Sequence, residues 1–339
     1  MKVEREVRNQ ISDPNNSNVN PQLSTVNSQL TKMKSIQVNN HSKTYGKGKA
    51  KILAVDDVSF EVSHGEIFGL IGPDGAGKTS IFRMLTTLLL PDSGSASVEN
   101  FDMVKEYKKI RQILGYMPGK FSLYQDLTVE ENLNFFASVF NTTIEENYDL
   151  IKDIYIQIEP FKDRKAGALS GGMKQKLALC CALIHQPKIL FLDEPTTGVD
   201  PVSRKEFWEM LRRLKKKGIT MVVATPYMDE AALCDQIALI QHGKILSIDS
   251  PENISSTFPD LLFEVKAGRT SAVLRALENY SQKKNVYAYG EFVHLTIDPN
   301  ENFSSSAVQE YLKSAGFSNI EINPVKASIE DSFIRLLSH

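Results

Sequence analysis

The chain has 339 residues, 42% of them hydrophobic, so it is long enough for more than one domain with a sizeable core. Its formal net charge of −2 excludes a global positive field of the kind that attracts nucleic acid or anionic lipid. No apolar run approaches the roughly 18 residues that span a bilayer, and the N-terminus lacks a signal-peptide segment, so we expect a cytoplasmic chain that contacts a membrane only through a protein.

The N-terminal part is predicted to consist of a disordered arm followed by the first strands of a sheet. Residues 1–34 are rich in Asn, Ser and Gln and poor in aromatic side chains, which is typical of disorder. Strands are predicted from about Ile36 and over Ile52–Val62, whose alternating pattern suits an antiparallel sheet. Tyr45 is predicted to lie on the loop between them. Its ring could stack on a nucleotide base or pack in the core, and its position alone does not decide between these roles.

A glycine-rich segment follows the next predicted strand. Phe68–Ile71 is a short apolar run, and residues from Ser80 onward carry apolar side chains at helical spacing. The residues between them match the phosphate-binding pattern G-x-x-x-x-G-K-[ST], in which Lys78 would reach the β- and γ-phosphates and the Thr79 hydroxyl would ligate Mg²⁺. The glycines let main-chain N–H groups approach phosphate oxygens. The predicted nucleotide-binding residues here are Gly72, Pro73, Asp74, Gly75, Ala76, Gly77, Lys78, Thr79 and Ser80.

The middle of the chain is predicted to form a helical subdomain that lies on the sheet. Ile113–Met117 is predicted to be a buried strand that a Pro-Gly pair ends. Thr128 and Glu131 then have the spacing of a capping box, in front of a helix with one apolar face. The helical character continues to Ala168.

A second candidate anion site stands before the next helix. Ser170, Gly171 and Gly172 precede a helix predicted over Met173–His185, and a serine hydroxyl with glycine N–H groups at a helix start can bind an anion. Taken alone, this feature could equally be a plain helix cap. The pair of carboxylates that comes next in the chain favours the anion site.

These two carboxylates lie at the end of a predicted buried strand. The segment Pro187–Glu194 delivers Asp193 and Glu194 to the edge of an open α/β sheet where ligands bind. We expect Asp193 to hold Mg²⁺ through water, and Glu194 to orient or deprotonate the attacking water. A tight turn ending at Asp200 completes this group, and Asp200 is counted among the nucleotide-binding residues. Ser203 is predicted to cap the next helix.

Together these motifs resemble the ATP-binding cassette of ABC transporters. They are the glycine loop, LSGGMKQ at 169–175, FLDEP at 191–195 and TTGVD at 196–200, in this order and spacing. The resemblance covers about residues 36–254 and is closest to single-cassette subunits that serve separate permeases of the ABC-2 export type. It implies an α/β P-loop cassette at residues 35–254, with a RecA-like core, an antiparallel β subdomain and a helical subdomain.

The resemblance also implies how such a cassette works. Two cassettes, identical or different, would pair head to tail around ATP, so that Ser170–Gly172 of one completes the γ-phosphate site at Lys78, Thr79 and Glu194 of the other. Tyr45 becomes the expected adenine-stacking residue. The expected partners are the second cassette and separate transmembrane permease subunits, with no nucleic acid and no direct membrane insertion. The expected location is cytoplasmic, on the inner face of the cell membrane.

The chain departs from the family pattern at three positions. Met173 replaces a common glutamine, a mild change because the serine and glycines make the phosphate contacts. Gly119 stands where a glutamine usually reaches Mg²⁺, and Gln125 is expected to lie too far along the loop to replace it. Pro226 follows the predicted strand Ile219–Ala224 where a histidine usually contacts the γ-phosphate, a loss that could cost on the order of 10²–10³ in rate. We therefore expect ATP binding, with weakened turnover.

Three alternative functions compete with that of an exporter subunit. The strongest is a nucleotide switch that binds ATP, pairs with an active partner cassette and leaves hydrolysis to that partner. A DNA-repair cassette protein would need a long coiled coil between Thr79 and Ser170, where only 90 residues lie without sustained heptads. A translation factor of this family would usually carry two cassettes, and this sequence has one phosphate loop.

Residues 255–339 are predicted to form a smaller α+β domain. Their pattern is β-α-β-β-α-β, which is ferredoxin-like, and it is followed by a last helix over Ser328–Leu337. The domain has no cluster of catalytic residues. It is predicted to dimerise or brace the cassette, and a role in binding a small regulatory ligand rests on fold analogy alone.

Overall fold

The computed structural model describes residues 33–46, 48–120 and 123–338, so the predicted arm lies outside the described residues except for its last two positions. One unit contains the described residues up to Pro226 together with Ile240–Ile245, and the other contains Tyr227–Leu239 with the residues from Leu246 onward. The predicted domain boundary after residue 254 stays a prediction. No helix in the described ranges is both long and apolar enough to cross a bilayer.

The first unit contains an antiparallel sheet and the strands of a mainly parallel sheet. Its strands are β1 (Lys34–Tyr45), β2 (Ile52–Ser63), β3 (Ile67–Ile71), β4 (Ser93–Val98), β5 (Phe101–Asp102), β6 (Leu114–Met117), β7 (Ile189–Asp193) and β8 (Thr220–Thr225). Two strands cross the boundary of the units, β9 (Gln236–Gln241) and β10 (Lys244–Asp249). The antiparallel sheet has the order β2-β1-β4-β5.

The location predicted for Tyr45 is wrong. Tyr45 is the last residue of β1 and pairs with Ile52 of β2, so it belongs to the sheet and not to the loop. The strand extends this far because irregularities in the β1–β2 register let pairing continue through the polar residues between Val38 and Thr44.

The second sheet consists mainly of parallel strands, whose carboxyl ends lie at the same edge. Its order is β10-β9-β3-β8-β7-β6, and β3 with β8, β8 with β7, and β7 with β6 run parallel. Every residue of β3, β7 and β8 is buried, as expected for strands covered on both faces. The carboxyl ends of these strands therefore lie on one edge, where Ile71, Asp193 and Thr225 are the last strand residues.

The first unit contains six α-helices within the described residues. Their N-terminal caps confirm one predicted cap and correct another. The helices are α1 (Lys78–Leu85), α2 (Tyr107–Ile113), α3 (Val129–Val139), α4 (Tyr148–Tyr155), α5 (Gly171–Leu183) and α6 (Pro201–Lys216). The capping box of Thr128 and Glu131 at the start of α3 is confirmed. The prediction that Ser203 caps α6 is wrong, because Asp200 is the cap and Pro201 occupies the first helical position, where proline is favoured.

The second unit has the predicted order β-α-β-β-α-β. Its strands are β11 (Leu261–Lys266), β12 (Asn285–Tyr289), β13 (Phe292–Ile297) and β14 (Glu321–Pro324). Its helices are α7 (Met228–Ala231), α8 (Pro251–Ser256), α9 (Thr270–Leu277), α10 (Ser305–Ser314) and α11 (Ile329–Leu337). The antiparallel strand order is β12-β13-β11-β14. Apolar residues of α9 and α10, including Leu277 and Leu312, pack with Leu295 of β13 in its core.

A buried carboxylate fixes the start of α11 on this sheet. Asp331 Oδ1 lies 2.6 Å from Nδ1 of His294 and accepts a 2.7 Å hydrogen bond from the Tyr287 hydroxyl. Its Oδ2 accepts two 2.6 Å hydrogen bonds from Ser328. Burial opposes the charged form, but the hydrogen bonds from His294, Ser328 and Tyr287 prevail and hold the pKa of Asp331 at about 2. The ionised side chain therefore links α11 to β12 and β13.

We predict that acid loosens α11 through this carboxylate. The folded pKa of about 2 lies below the ordinary 3.8, so the stabilisation is fully present above pH 4 and is lost as the pH falls toward 2. Hydrogen exchange of the α11 amides, corrected for intrinsic rates, should show this loss, on the order of 2 kcal/mol, in the wild type. The variant Asp331→Asn should be less protected at neutral pH and should lack this acid dependence. Equal pH dependence in the two proteins would contradict the assignment.

Candidate nucleotide-binding site

The glycine loop joins β3 to α1, and close main-chain contacts require two of its glycines. A Cβ atom at Gly72 would lie 2.1 Å from the carbonyl oxygen of Ile240, and one at Gly77 would lie 2.3 Å from that of Ala54. Gly77 also has a φ of +106°, which side-chain-bearing residues rarely adopt. Only hydrogen fits at these two positions. The loop between them consists of Pro73, Asp74, Gly75 and Ala76.

Lys78 is buried, and its ammonium group lies within this loop. Its Nζ donates hydrogen bonds to the carbonyl oxygens of Gly72 at 2.7 Å and Pro73 at 3.0 Å. It also lies 3.9 Å from Oε1 of Glu194. Burial lowers the pKa of Lys78, and neighbouring carboxylates, that of Glu194 first, oppose this shift. The chain thus holds a cation where the loop and the strand edge meet.

Asp193 ends β7 beside the first turn of α1. Its side chain is buried, and the Thr79 hydroxyl donates a 3.3 Å hydrogen bond to its Oδ1. Burial raises the pKa of Asp193, and the hydrogen bond from Thr79 opposes this shift. The structure therefore brings Thr79 and Asp193 into direct hydrogen-bond contact, and the expectation that both hold Mg²⁺ stays a prediction.

Glu194 leaves the strand in an unusual backbone conformation. Its φ is +50°, in the left-handed region that non-glycine residues seldom occupy, and its N–H group donates a 2.8 Å hydrogen bond to the Ala224 carbonyl. The Thr197 hydroxyl donates to Glu194 Oε2 at 3.4 Å. Sequence reasoning missed this role of Thr197, although a hydroxyl three residues after a carboxylate in a tight turn is a usable signal.

The donor set at this edge suits a magnesium ion. A threonine hydroxyl and a carboxylate are the hard oxygen ligands that Mg²⁺ prefers, and this ion usually takes only one or two protein ligands together with phosphate and water oxygens. Among the described residues there is no group of three or more His, Cys, Asp or Glu side chains that could hold a metal without a phosphate. The two oxygen donors of Thr79 and Asp193 fit a Mg²⁺ ion that also takes phosphate and water ligands.

Tyr45 lies beside the start of α1. Its hydroxyl is 3.2 Å from Oγ of Ser80, which directly follows Thr79. About a third of its side chain is exposed, and its pairing partner Ile52 is also exposed. The ring is therefore close to the glycine loop and still accessible, which a role in stacking on a base requires.

The serine–glycine segment forms a separate cluster with the turn before α6. Ser170 is exposed and caps α5, and its Oγ accepts a 3.4 Å hydrogen bond from the N–H group of Met173. A Cβ atom at Gly172 would lie 2.8 Å from Oγ of Ser203, and one at Gly171 would lie 3.2 Å from the carbonyl oxygen of Gly198. In the described part of the chain, Ser170 makes no hydrogen bond to the glycine loop or to Glu194.

Asp200 belongs to this second cluster. Its Oδ1 accepts hydrogen bonds from the N–H groups of Val202 at 3.1 Å and Ser203 at 3.0 Å. These hydrogen bonds lower the pKa of Asp200, that from Ser203 first. In this arrangement Asp200 positions the start of α6, and any contact with nucleotide stays a prediction.

Residues 55–197 match the sequence pattern of the ABC transporter family. The probable multidrug ABC transporter ATP-binding protein YbhF of Escherichia coli K12 is 40% identical over 290 residues, which cover 84% of this chain and 49% of that protein. The Nod factor export ATP-binding protein I of Rhizobium sp. strain N33 is 36% identical over 289 residues, which cover 84% of this chain and 92% of the relative. The chain belongs to the ABC transporter family.

The described fold agrees with this membership. The dimeric ATP-binding cassette MJ0796, in a post-hydrolysis state bound to ADP and Pi, has a TM-score of 0.58 and is 26% identical, and the match covers 63% of this chain and 98% of that cassette. The predicted α/β P-loop cassette is therefore confirmed. This ABC family chain spans about half the length of the Escherichia coli relative.

Two departures from the pattern of ABC cassettes lie at the same sheet edge. A Cβ atom at Gly119 would lie 3.1 Å from the carbonyl oxygen of Asp193 and 3.7 Å from Cβ of Glu194, so position 119 is next to the carboxylates but supplies no side chain. Pro226 directly follows β8, whose last carbonyl, at Thr225, accepts a 3.3 Å hydrogen bond from the N–H group of Gly72. The effect of both departures on turnover stays a prediction.

We predict that Gly72→Ala distorts the loop and weakens the cassette. The added methyl group would collide with the Ile240 carbonyl, and the backbone shift should lower the free energy of unfolding by about 3 kcal/mol and reduce ATP affinity. Unfolding can be followed by the fluorescence of Trp208, the single tryptophan, which is buried in the first unit. Gly65→Ala is the control, because residue 65 also has a positive φ but no atom of the described residues, its chain neighbours apart, lies within 4 Å of an added Cβ. This substitution should lower the free energy of unfolding by about 1 kcal/mol and leave ATP affinity unchanged. Equal effects of the two substitutions would show that the close contact of Gly72 with the Ile240 carbonyl does not constrain the loop.

Proposed function

We propose that this chain is the ATP-binding and ATP-hydrolysing subunit of a multi-subunit ABC exporter, in which ATP drives two cassettes together and their closure is coupled to a separate membrane permease. One observation carries the proposal: Lys78, Thr79, Asp193 and Glu194 meet at the carboxyl edge of a buried parallel sheet. The names of the two relatives, a multidrug and a Nod factor export ATP-binding protein, support an export role.

ATP would be bound mainly through its phosphates. The N–H groups of the glycine loop and the N-terminus of α1 favour negative charge, and Lys78 adds a buried cation. Thr79 and Asp193 would hold Mg²⁺, which neutralises phosphate charge when it is bound. The raised pKa of Asp193 means that acid removes this ligand more easily than an ordinary aspartate. Tyr45 would stack on the adenine ring.

Glu194 is the proposed catalytic residue. Hydrolysis needs a group that orients the attacking water and takes up its proton, and a carboxylate at the end of β7 can do both. The Thr197 hydroxyl holds one carboxylate oxygen, while the other faces Lys78 at 3.9 Å. These two contacts restrict the side chain, so that the water it binds would be directed toward the terminal phosphate.

A second cassette would complete the site. Ser170, Gly171 and Gly172 form the start of α5, where Ser170 and Gly171 are exposed and the first N–H groups of the helix favour an anion, and they lie in a cluster separate from the glycine loop. In a head-to-tail pair, this segment of one cassette would face the phosphates held by the other. The partner cassette could be a second copy of this chain or a different subunit.

The permease is proposed to contact an apolar groove in the first unit. The groove has a volume of about 310 Å³, and its apolar lining includes Leu88, Leu114, Met117, Leu123, Phe136 and Phe140. Leu88, in the lining of this groove, is 58% exposed, so the groove is accessible to an apolar surface of a partner. A membrane partner at this groove would place the chain on the cytoplasmic face of the cell membrane.

We predict that Glu194→Gln abolishes most hydrolysis and preserves ATP binding. Removing the base should lower steady-state turnover by about 10²–10⁴-fold, because the amide cannot accept the proton. Glu209→Gln, on the exposed side of α6, is the matched control and should leave the rate unchanged. Rates should be measured with and without the reconstituted permease. If the wild type is no faster than Glu194→Gln even with its permease, the proposed hydrolysis is wrong and the protein is a nucleotide switch.

A further inference from the structure

A buried side-chain amide organises the loop that leads into α3. Asn132 is completely buried, and its Oδ1 accepts a 3.0 Å hydrogen bond from the N–H group of Tyr124. Its Nδ2, which carries two hydrogens, lies within hydrogen-bond distance of the carbonyl oxygens of Tyr124 at 3.0 Å, Leu127 at 3.3 Å and Thr128 at 2.9 Å. One side chain thus contacts four main-chain groups of the loop, and the carbonyl groups of Leu127 and Thr128 among them also accept hydrogen bonds from main-chain N–H groups.

The loop held by Asn132 is in turn joined to a distant part of the chain. The N–H groups of Ala166 and Gly167 donate hydrogen bonds to the carbonyl oxygens of Leu127 at 2.8 Å and Gln125 at 2.9 Å. In the opposite direction, the N–H group of Val129 donates to the carbonyl of Arg164 at 3.1 Å. These bonds form a short ladder between residues 125–129 and 164–167, which we name the strap.

The two ends of the strap lie at two different surfaces. On one side, Leu123 and Phe136 line the apolar groove, and the ring of Tyr124 contacts that of Phe135 at a centroid distance of 4.8 Å. On the other side, the chain passes from Gly167 through only two residues to Ser170, the cap of α5. The strap therefore connects the groove to the serine–glycine segment by main-chain hydrogen bonds.

We propose that Asn132 is a positioning residue that fixes Ser170–Gly172 relative to the groove. The inference rests on the proposed function, in which this segment completes the nucleotide site of a partner cassette. Loss of the Asn132 amide would remove the side-chain hydrogen bonds that hold both main-chain groups of Tyr124 and support the carbonyl groups of Leu127 and Thr128, so the loop would rearrange and the strap would loosen. Asn132 does not touch the glycine loop in the described structure, so binding of ATP by one cassette would remain.

The matched pair Asn132→Ala and Asn134→Ala tests this proposal. Asn134 lies two residues further along the same helix but is exposed, so its loss should have no effect. In Asn132→Ala, hydrogen exchange at the amides of Ala166 and Gly167 should accelerate by about tenfold or more. The turnover number should fall by about tenfold, whereas ATP affinity measured by calorimetry should stay within about twofold. Unchanged exchange at residues 166–167, or an equal loss of affinity and turnover, would overturn the proposal.

A second variant keeps the test valid if Asn132→Ala fails to fold. Val129→Pro removes the N–H group that donates to Arg164, and proline is tolerated at this first position of α3. It should give the same combination of faster exchange in the strap, lower turnover and intact affinity. The exchange measurement needs no hydrolysis, so it separates failure of this inference from failure of the proposed function. Faster hydrogen exchange in the strap with an unchanged turnover number would overturn the positioning role, even if the protein is an active ATPase.

Discussion

The site depends on the burial of one ammonium group inside a loop of main chain. Lys78 is held by the carbonyl oxygens of Gly72 and Pro73, and it lies 3.9 Å from the carboxylate of Glu194, which directly follows β7. A buried cation is costly unless it is hydrogen-bonded and paired, so this arrangement fixes both the loop and the strand edge. Parallel pairing of β3, β8 and β7 brings the two sides together, and the close approach of main chain at Gly72 prevents the loop from taking another path.

The nucleotide site and the proposed partner surfaces belong to one mechanical unit. The serine–glycine segment packs on the turn that begins after Glu194, through Gly171 and Gly198. The strap links that segment to the groove, where a fully buried Asn132 holds the connecting loop. These links consist of main-chain hydrogen bonds, the side-chain hydrogen bonds of Asn132 and close glycine contacts. In the function proposed here, a change at the groove would reach Ser170 along these contacts.

Short-range sequence patterns predicted the elements whose chemistry requires a fixed spacing of residues. The glycine loop, the Asp193–Glu194 pair and the Thr128 cap depend on short-range patterns, and the structure has these elements at the predicted places. The predicted cap of α6 was wrong because Asp200 and Ser203 are both good capping residues, and only the position of Pro201 distinguishes them. The end of β1 at Tyr45 was missed because register irregularities extend the strand through a polar stretch. Contacts such as Thr197 with Glu194 or Gly72 with Ile240 depend on the folded chain.

Calorimetric titration of ATP into the wild type, Lys78→Ala and Lys205→Ala tests the central claim most directly. Lys205 is an exposed lysine on α6, so its substitution controls for the loss of one positive charge. Lys78→Ala should weaken ATP affinity by about 10- to 100-fold, because charged hydrogen bonds to phosphate are lost, and Lys205→Ala should bind like the wild type. Equal affinity of Lys78→Ala and the wild type would show that the buried ammonium group does not hold the nucleotide.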